Sequence, residues 1–213
     1  ANAAGADVTG AQITAGAITS GPSGTSLVVP VTILSSATPG SYTVTVTSPE
    51  GLATTGSFTV TAPPVISTIG RTSASASNIA VSFGQASSGQ TLYLSGSGYA
   101  TTGGTPVVVA ITGAGAAVSG VTISGVTVAA GGTSLTATVA VDATATVGTY
   151  ALQVTNPDLG RATFASAFTV AAKPTLTGIT DNNNFGAGAS NRTVTLSGSG
   201  LTSSATVTFT RTG

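Results

Sequence analysis

The stretch Gly148-Thr149-Tyr150-Ala151-Leu152-Gln153-Val154-Thr155-Asn156-Pro157-Asp158 decides the fold. Tyr150, Leu152 and Val154 alternate with small or polar residues, the period of a half-buried strand. Asn-Pro-Asp then turns the chain. The same pattern stands 108 residues earlier, as Gly40-Ser41-Tyr42-Thr43-Val44-Thr45-Val46-Thr47-Ser48-Pro49-Glu50. Two copies of a strand and its turn identify a β-repeat protein.

Further anchors extend the repeat. Thr25-Ser26-Leu27 matches Thr133-Ser134-Leu135 at the same offset, and Ser57-Phe58-Thr59-Val60 matches Ala167-Phe168-Thr169-Val170 at 110. Pro64 with Pro174, and Ile69 with Ile179, also lie 110 apart. Phe83-Gly84 matches Phe185-Gly186, and Leu94-Ser95-Gly96-Ser97-Gly98 matches Leu196-Ser197-Gly198-Ser199-Gly200, both at 102. A unit of this length has the size of one domain.

The phase of the repeat divides the chain of 213 residues into a half, a whole and a half. Residues 1–62 carry the second half of a unit, 63–172 a complete unit, and 173–213 the first half of a third. The joins Ala62-Pro63-Pro64 and Ala172-Lys173-Pro174 are short, and proline stiffens them.

Within the complete unit Val65, Ile66 and Ile69 predict a short opening strand, followed by a Ser- and Ala-rich loop. Leu92 and Leu94 share one face of the next strand, and Ser95-Gly96-Ser97-Gly98 reads as a turn. Val107, Val109 and Ile111 are expected to point inward, and the Gly-rich region from Val118 to Val128 to form two short strands. Leu135, Ala137, Val139 and Val141 alternate inward, as do Tyr150, Leu152 and Val154, and Phe168 and Val170 close the unit. About seven strands at regular spacing predict an all-β fold of tandem immunoglobulin-like two-sheet sandwiches, one complete and two partial.

At these residues the chain resembles the IPT/TIG family of immunoglobulin-like domains. The likeness rests on Pro64, Ile66 and Ile69, on Gly89-Gln90-Thr91-Leu92-Tyr93-Leu94-Ser95-Gly96-Ser97-Gly98-Tyr99, on the Gly148–Asp158 stretch, and on Ala167-Phe168-Thr169-Val170. Gly148-Thr149-Tyr150 also resembles the tyrosine corner of such sandwiches. Leu152 stands where an antibody domain has Cys, and the chain has neither Cys nor Trp. The resemblance implies a spacer or binding module of a bacterial surface protein, in which such domains occur in tandem.

Composition narrows the function. The chain is 41% hydrophobic but only 5% charged, with zero formal net charge. Its few scattered cations do not supply the basic patch that nucleic acid or anionic lipid requires. No apolar run reaches the length of a membrane-spanning helix, so no membrane insertion is expected, and any leader peptide is expected to have been removed already or to lie outside this sequence. Abundant Val, Ile and Thr suit pleated sheet and argue against disorder.

Nothing in the sequence assembles a catalytic site. A serine nucleophile needs a base, and His is absent. Glu50 and Asp158 are equivalent turn positions in different copies, so they do not converge as a carboxylate pair. Asp181-Asn182-Asn183-Asn184 offers oxygens that suit Ca²⁺ but lacks the spacing of a calcium loop, and it reads as a solvated Asx turn. No cofactor or metal is therefore expected. Asn191-Arg192-Thr193 is a glycosylation sequon. Lys173 reads as an exposed linker lysine.

These observations lead to two main readings, with a spacer attached to an enzyme as a third. In the first, the chain is a structural repeat of an extracellular assembly: a filament, sheath, surface layer or adhesin stalk. Tyr42, Tyr150, Pro64 and Pro174 are then structural residues, and the partners are copies of the same chain. Thr-rich outward faces without charge leave strand edges open to pairing with such copies. In the second, it is an adhesin module for a glycan or a receptor, with Tyr93 and Tyr99 as the aromatic candidates for stacking on sugar. The half, whole and half phase admits two origins. It is a window on a longer array, or one subunit's end completes the next subunit's start.

Overall fold

The structure is a computed structural model, and it describes residues 12–20, 24–71, 81–180, 185–203 and 205–211. It is an all-β fold. Among the described residues no helix is long and apolar enough to cross a membrane.

Residues 63–172 form two four-stranded sheets face to face. One sheet has the order β11-β12-β9-β7, from Val121–Val128 (β11), Ser134–Val141 (β12), Ser87–Ser97 (β9) and Val65–Gly70 (β7). The other has the order β10-β13-β14-β8, from Val107–Ile111 (β10), Gly148–Thr155 (β13), Arg161–Ala171 (β14) and Val81–Gly84 (β8). The connectivity is that of a constant-type immunoglobulin sandwich, with β13 in the place of strand F. The short β8 adds a parallel edge along β14.

Period-two alternation fills the space between the sheets. Leu135, Ala137, Val139 and Val141 are all buried, as are Leu92 and Leu94, Leu152 and Val154, and Phe168 and Val170. Phe83 meets Phe168 edge to face at 5.5 Å, and the Tyr150 ring leans on Phe168 from the other side. Edge-to-face packing suits the quadrupoles of aromatic rings.

The fold departs from sequence expectation at four places. β8 forms where a loop was expected, because Val81 and Phe83 find a partner in β14, far away in sequence. In β10 Ile111 is buried as expected, but the other buried residues are Val108 and Ala110, while Val109 is half-buried and Val107 is 60% exposed. Three valines in a row give no alternation to read. Val121–Val128 is one strand, with a bulge between Ser124 and Thr127 where two had been expected. Gly96 belongs to β9 rather than to a turn, and the turn glycine is Gly98, at φ 71°.

The ends of the chain repeat pieces of this pattern. Before the sandwich lie Ile13–Ala15 (β1), Thr19–Ser20 (β2), Leu27–Val28 (β3), Val31–Ile33 (β4), Gly40–Thr47 (β5) and Ala53–Val60 (β6). After it lie Thr175–Thr180 (β15) and Thr195–Ser199 (β16). Ile13 pairs with Ile33 as Val121 pairs with Val141, and Ser20 pairs with Leu27 as Val128 pairs with Leu135. Tyr42 pairs with Phe58 as Tyr150 pairs with Phe168. At the other end Leu176 opposite Gly198 repeats Ile66 opposite Gly96, with the same bulge after it. Pro30 stands where β12 has Thr138. Lacking an N–H, it splits the equivalent of β12 into β3 and β4.

Candidate functional site

The candidate site is a pair of open apolar faces at the two ends of the chain. Residues 12–60 hold strands that correspond to β11 through β14. Val31 is 52% exposed where its equivalent Val139 is fully buried, and Val44 is 49% exposed where Leu152 is fully buried. Leu27, Ile33 and Val46 are exposed in the same way. A small core of Ile13, Ala37, Val60 and Tyr42 closes only one end of this half. The Tyr42 and Phe58 rings stack at 5.7 Å, and among the described residues no third ring joins them as Phe83 joins Phe168 and Tyr150.

Residues 173–211 expose the complementary side. Ile179 is 43% exposed where Ile69 is 3%, and Leu176 is also exposed. Phe185, the equivalent of Phe83, is 49% exposed. β7 pairs with β9, and their equivalents β15 and β16 pair in the same register. β8 instead pairs with β14, and β10 with β13. No strand forms in the corresponding described segments 185–194 and 205–211. The physical reason is consistent in each case. A strand forms where its ladder partner lies in the same half, because unpaired backbone gains nothing from extension.

The two prolines report the same asymmetry. Pro64 is buried, while Pro174 is exposed. Pro64 lies against Gly98 on one side and Gly160, in the turn after β13, on the other. Pro174 lies against Gly200, the equivalent of Gly98. The turn that would cover its other side corresponds to Ser48–Leu52, in the opposite half.

Both tyrosine corners are present. Tyr150 donates its hydroxyl to the carbonyl of Thr146 at 2.8 Å, and Tyr42 donates to Thr38 at 2.6 Å. Asn156 is a structural residue that sequence reasoning passed over. It is buried; its side-chain amide donates to the Gly98 carbonyl at 2.7 Å, and its oxygen accepts from the Ala100 amide at 3.1 Å. Its place in the Asn-Pro-Asp turn made it look like an exposed turn former.

The glycan candidates separate. Tyr99 is 2% exposed, and burial pushes its hydroxyl up to about 12. It belongs to the core and offers no ring face to a sugar. This corrects the expectation that Tyr99 is a candidate for stacking on sugar. Tyr93 lies half-buried on the outward face of β9, opposite Thr136. Asn191 is exposed in a bend before β16, at φ 55°. Asp181 lies outside the described residues. Among the described residues no three acidic side chains come together in a way that could hold a metal ion. The Lys173 side chain is exposed, and its backbone amide donates to Gln85 Oε1 at 3.1 Å.

No protein-family model, no curated protein and no solved structure matches the chain.

Proposed function

We propose that this chain is a structural repeat protein of an extracellular assembly, such as a filament, sheath, surface layer or adhesin stalk. Its units are of the IPT/TIG immunoglobulin-like type, and copies join head to tail. The early half of a sandwich at 173–211 in one copy completes the late half at 12–60 in the next. One observation carries this reading. Residues exposed in the two end segments are the equivalents of the residues buried between the sheets of the central sandwich.

Magnitudes favour assembly. Burying a Val, Leu or Ile side chain contributes about 1.5–3 kcal/mol. Leu27, Val31, Ile33, Val44, Val46, Leu176 and Ile179 are already partly covered, so roughly half of that remains for each. The total is comparable with the roughly 4–15 kcal/mol that association costs. Exposed apolar patches of this extent mark interaction surfaces. A contact between unlike faces does not close on itself, and so it propagates.

The central sandwich also supplies the expected register. Ser134 opposes Ser95 across β12 and β9, which makes Ser26 of one copy oppose Ser197 of the next. Directly opposed residues lie within disulfide range. The chain has no cysteine of its own, so an S26C/S197C double variant tests the pairing cleanly. Mild oxidation should give a ladder of covalent oligomers, and negative-stain images of the unmodified chain should show fibres. Dispersed monomers at high concentration, with no ladder, would sink the proposal.

A further inference from the structure

The sequence contains one Lys and one Glu, Lys173 and Glu50. They stand in opposite halves, and the central sandwich shows where each belongs. Lys173 corresponds to Pro63, because Val60 matches Val170 and Pro64 matches Pro174. Glu50 corresponds to Asp158, because Thr47 opposes Ala53 as Thr155 opposes Arg161.

In the central sandwich those two positions are neighbours. Gly160 donates its amide to Asp158 Oδ1 at 3.0 Å. A Cβ on Gly160 would lie 3.6 Å from the Pro63 Cα and 3.5 Å from the Pro64 Cδ, which is ordinary contact, and 3.1 Å from Asp158 Oδ1, so the carboxylate must shift by a few tenths of an ångström to admit it. The join thus runs against the turn that holds the carboxylate, with the Pro63 backbone and the Pro64 ring beside it. The equivalent of Gly160 is Leu52, which is 76% exposed and has that space to fill.

The carboxylate has a donor here as well. Thr61 Oγ1, from the join just ahead of Pro63, donates to Asp158 Oδ2. The residue equivalent to Thr61 is Ala171, which has no hydroxyl to give. The donor lost at Ala171 is replaced two positions later, where Pro63 gives way to Lys173.

We propose that Lys173 of one copy pairs with Glu50 of the next and latches each head-to-tail junction, with Leu52 packed on Pro174 and on the lysine stem. The occupant of the open face is thus a second copy of this chain. This rests on the head-to-tail reading, and it adds a charge pair that fixes which end meets which. Complementary charge sets register and excludes wrong partners more than it adds affinity.

The test uses the full chain and the concentration at which it assembles, followed by light scattering and sedimentation at low ionic strength. In E50K every junction sets a lysine against Lys173, and in K173E every junction sets a glutamate against Glu50. Each variant alone should need about tenfold more protein to assemble. An equimolar mixture of the two restores opposite charges at every junction, so it should assemble at the wild-type concentration, as should the double variant. In 1 M salt the differences should collapse.

If wild type assembles but the single variants assemble equally well, or the mixture fails to recover, the latch is overturned and head-to-tail completion stands. If wild type stays monomeric at all concentrations, the completion reading fails and takes the latch with it. Both residues are exposed at the surface, so the variants leave the fold of each chain intact.

Discussion

The hydroxyl of Tyr150 donates to the carbonyl oxygen of Thr146 at 2.8 Å. This bond ties the entry of β13 to the loop before it, and the chain builds it again at Tyr42. Removing one such bond should cost about 1 kcal/mol. Y150F is expected to lower the melting temperature of the central sandwich by about 4 °C. Y42F should leave that transition in place and instead speed amide exchange across Gly40–Thr47 and Ala53–Val60. Equal effects of both variants on the main transition would contradict this assignment.

Gly96 and Gly198 are required for another reason. A Cβ on Gly96 would lie 1.8 Å from the Val65 carbonyl oxygen, and one on Gly198 would lie 1.8 Å from that of Thr175. Backbone cannot yield there without parting the strands. G96A should destabilise the sandwich by about 3 kcal/mol or more in denaturant unfolding. G198A should instead abolish assembly, because it disorders β15 against β16. G84A is the control. Gly84 lies in a strand with open space around it, so alanine should be neutral or stabilise by up to about 1 kcal/mol.

Asn156 joins the end of β13 to the loop after β9. N156A leaves the Gly98 carbonyl and the Ala100 amide without their partner, which should cost about 1–3 kcal/mol. The loss should appear as a lower denaturant midpoint with an unchanged slope. A midpoint that does not move would show that water replaces the side chain.

Tyr99 should make stability depend on alkaline pH. Its hydroxyl is raised from 10.0 to about 12 because burial disfavours the phenolate. The fold therefore holds the neutral form, and its contribution is whole below pH 10. It declines as pH rises from 10 towards 12, because the unfolded chain loses the proton first. Melting temperatures between pH 9 and 12 should fall more steeply for wild type than for Y99F. Parallel curves would show that Tyr99 titrates as a surface group.

Much of the sandwich was legible in the sequence because its longest strands alternate cleanly. Leu135 through Val141 and Tyr150 through Val154 point as their period demands, and the offset of 108 survives as pairing register. The change of offset to 110 was also visible, but its cause was not. In β14 the three residues Ala165, Ser166 and Ala167 stand opposite the single Ala151, with Ser166 at φ 50°, whereas Tyr42–Val44 faces Gly56–Phe58 without a bulge. The two added residues are a bulge. β8 and the burial of Tyr99 were not legible, because each depends on a segment far away along the chain.

By itself the sequence determined the repeat, the inward and outward faces of the longer strands, and the tyrosine corners. These depend on local period and on residues four or fewer positions apart. Only the tertiary structure decided which apolar residues have a neighbour. Val44 and Leu152 carry the same pattern in equivalent strands, yet one is half exposed and the other fully buried. Burial belongs to the opposing sheet as much as to the strand, and residues 12–60 supply only part of that sheet to Val44, β1 to β4 in the place of β11 and β12.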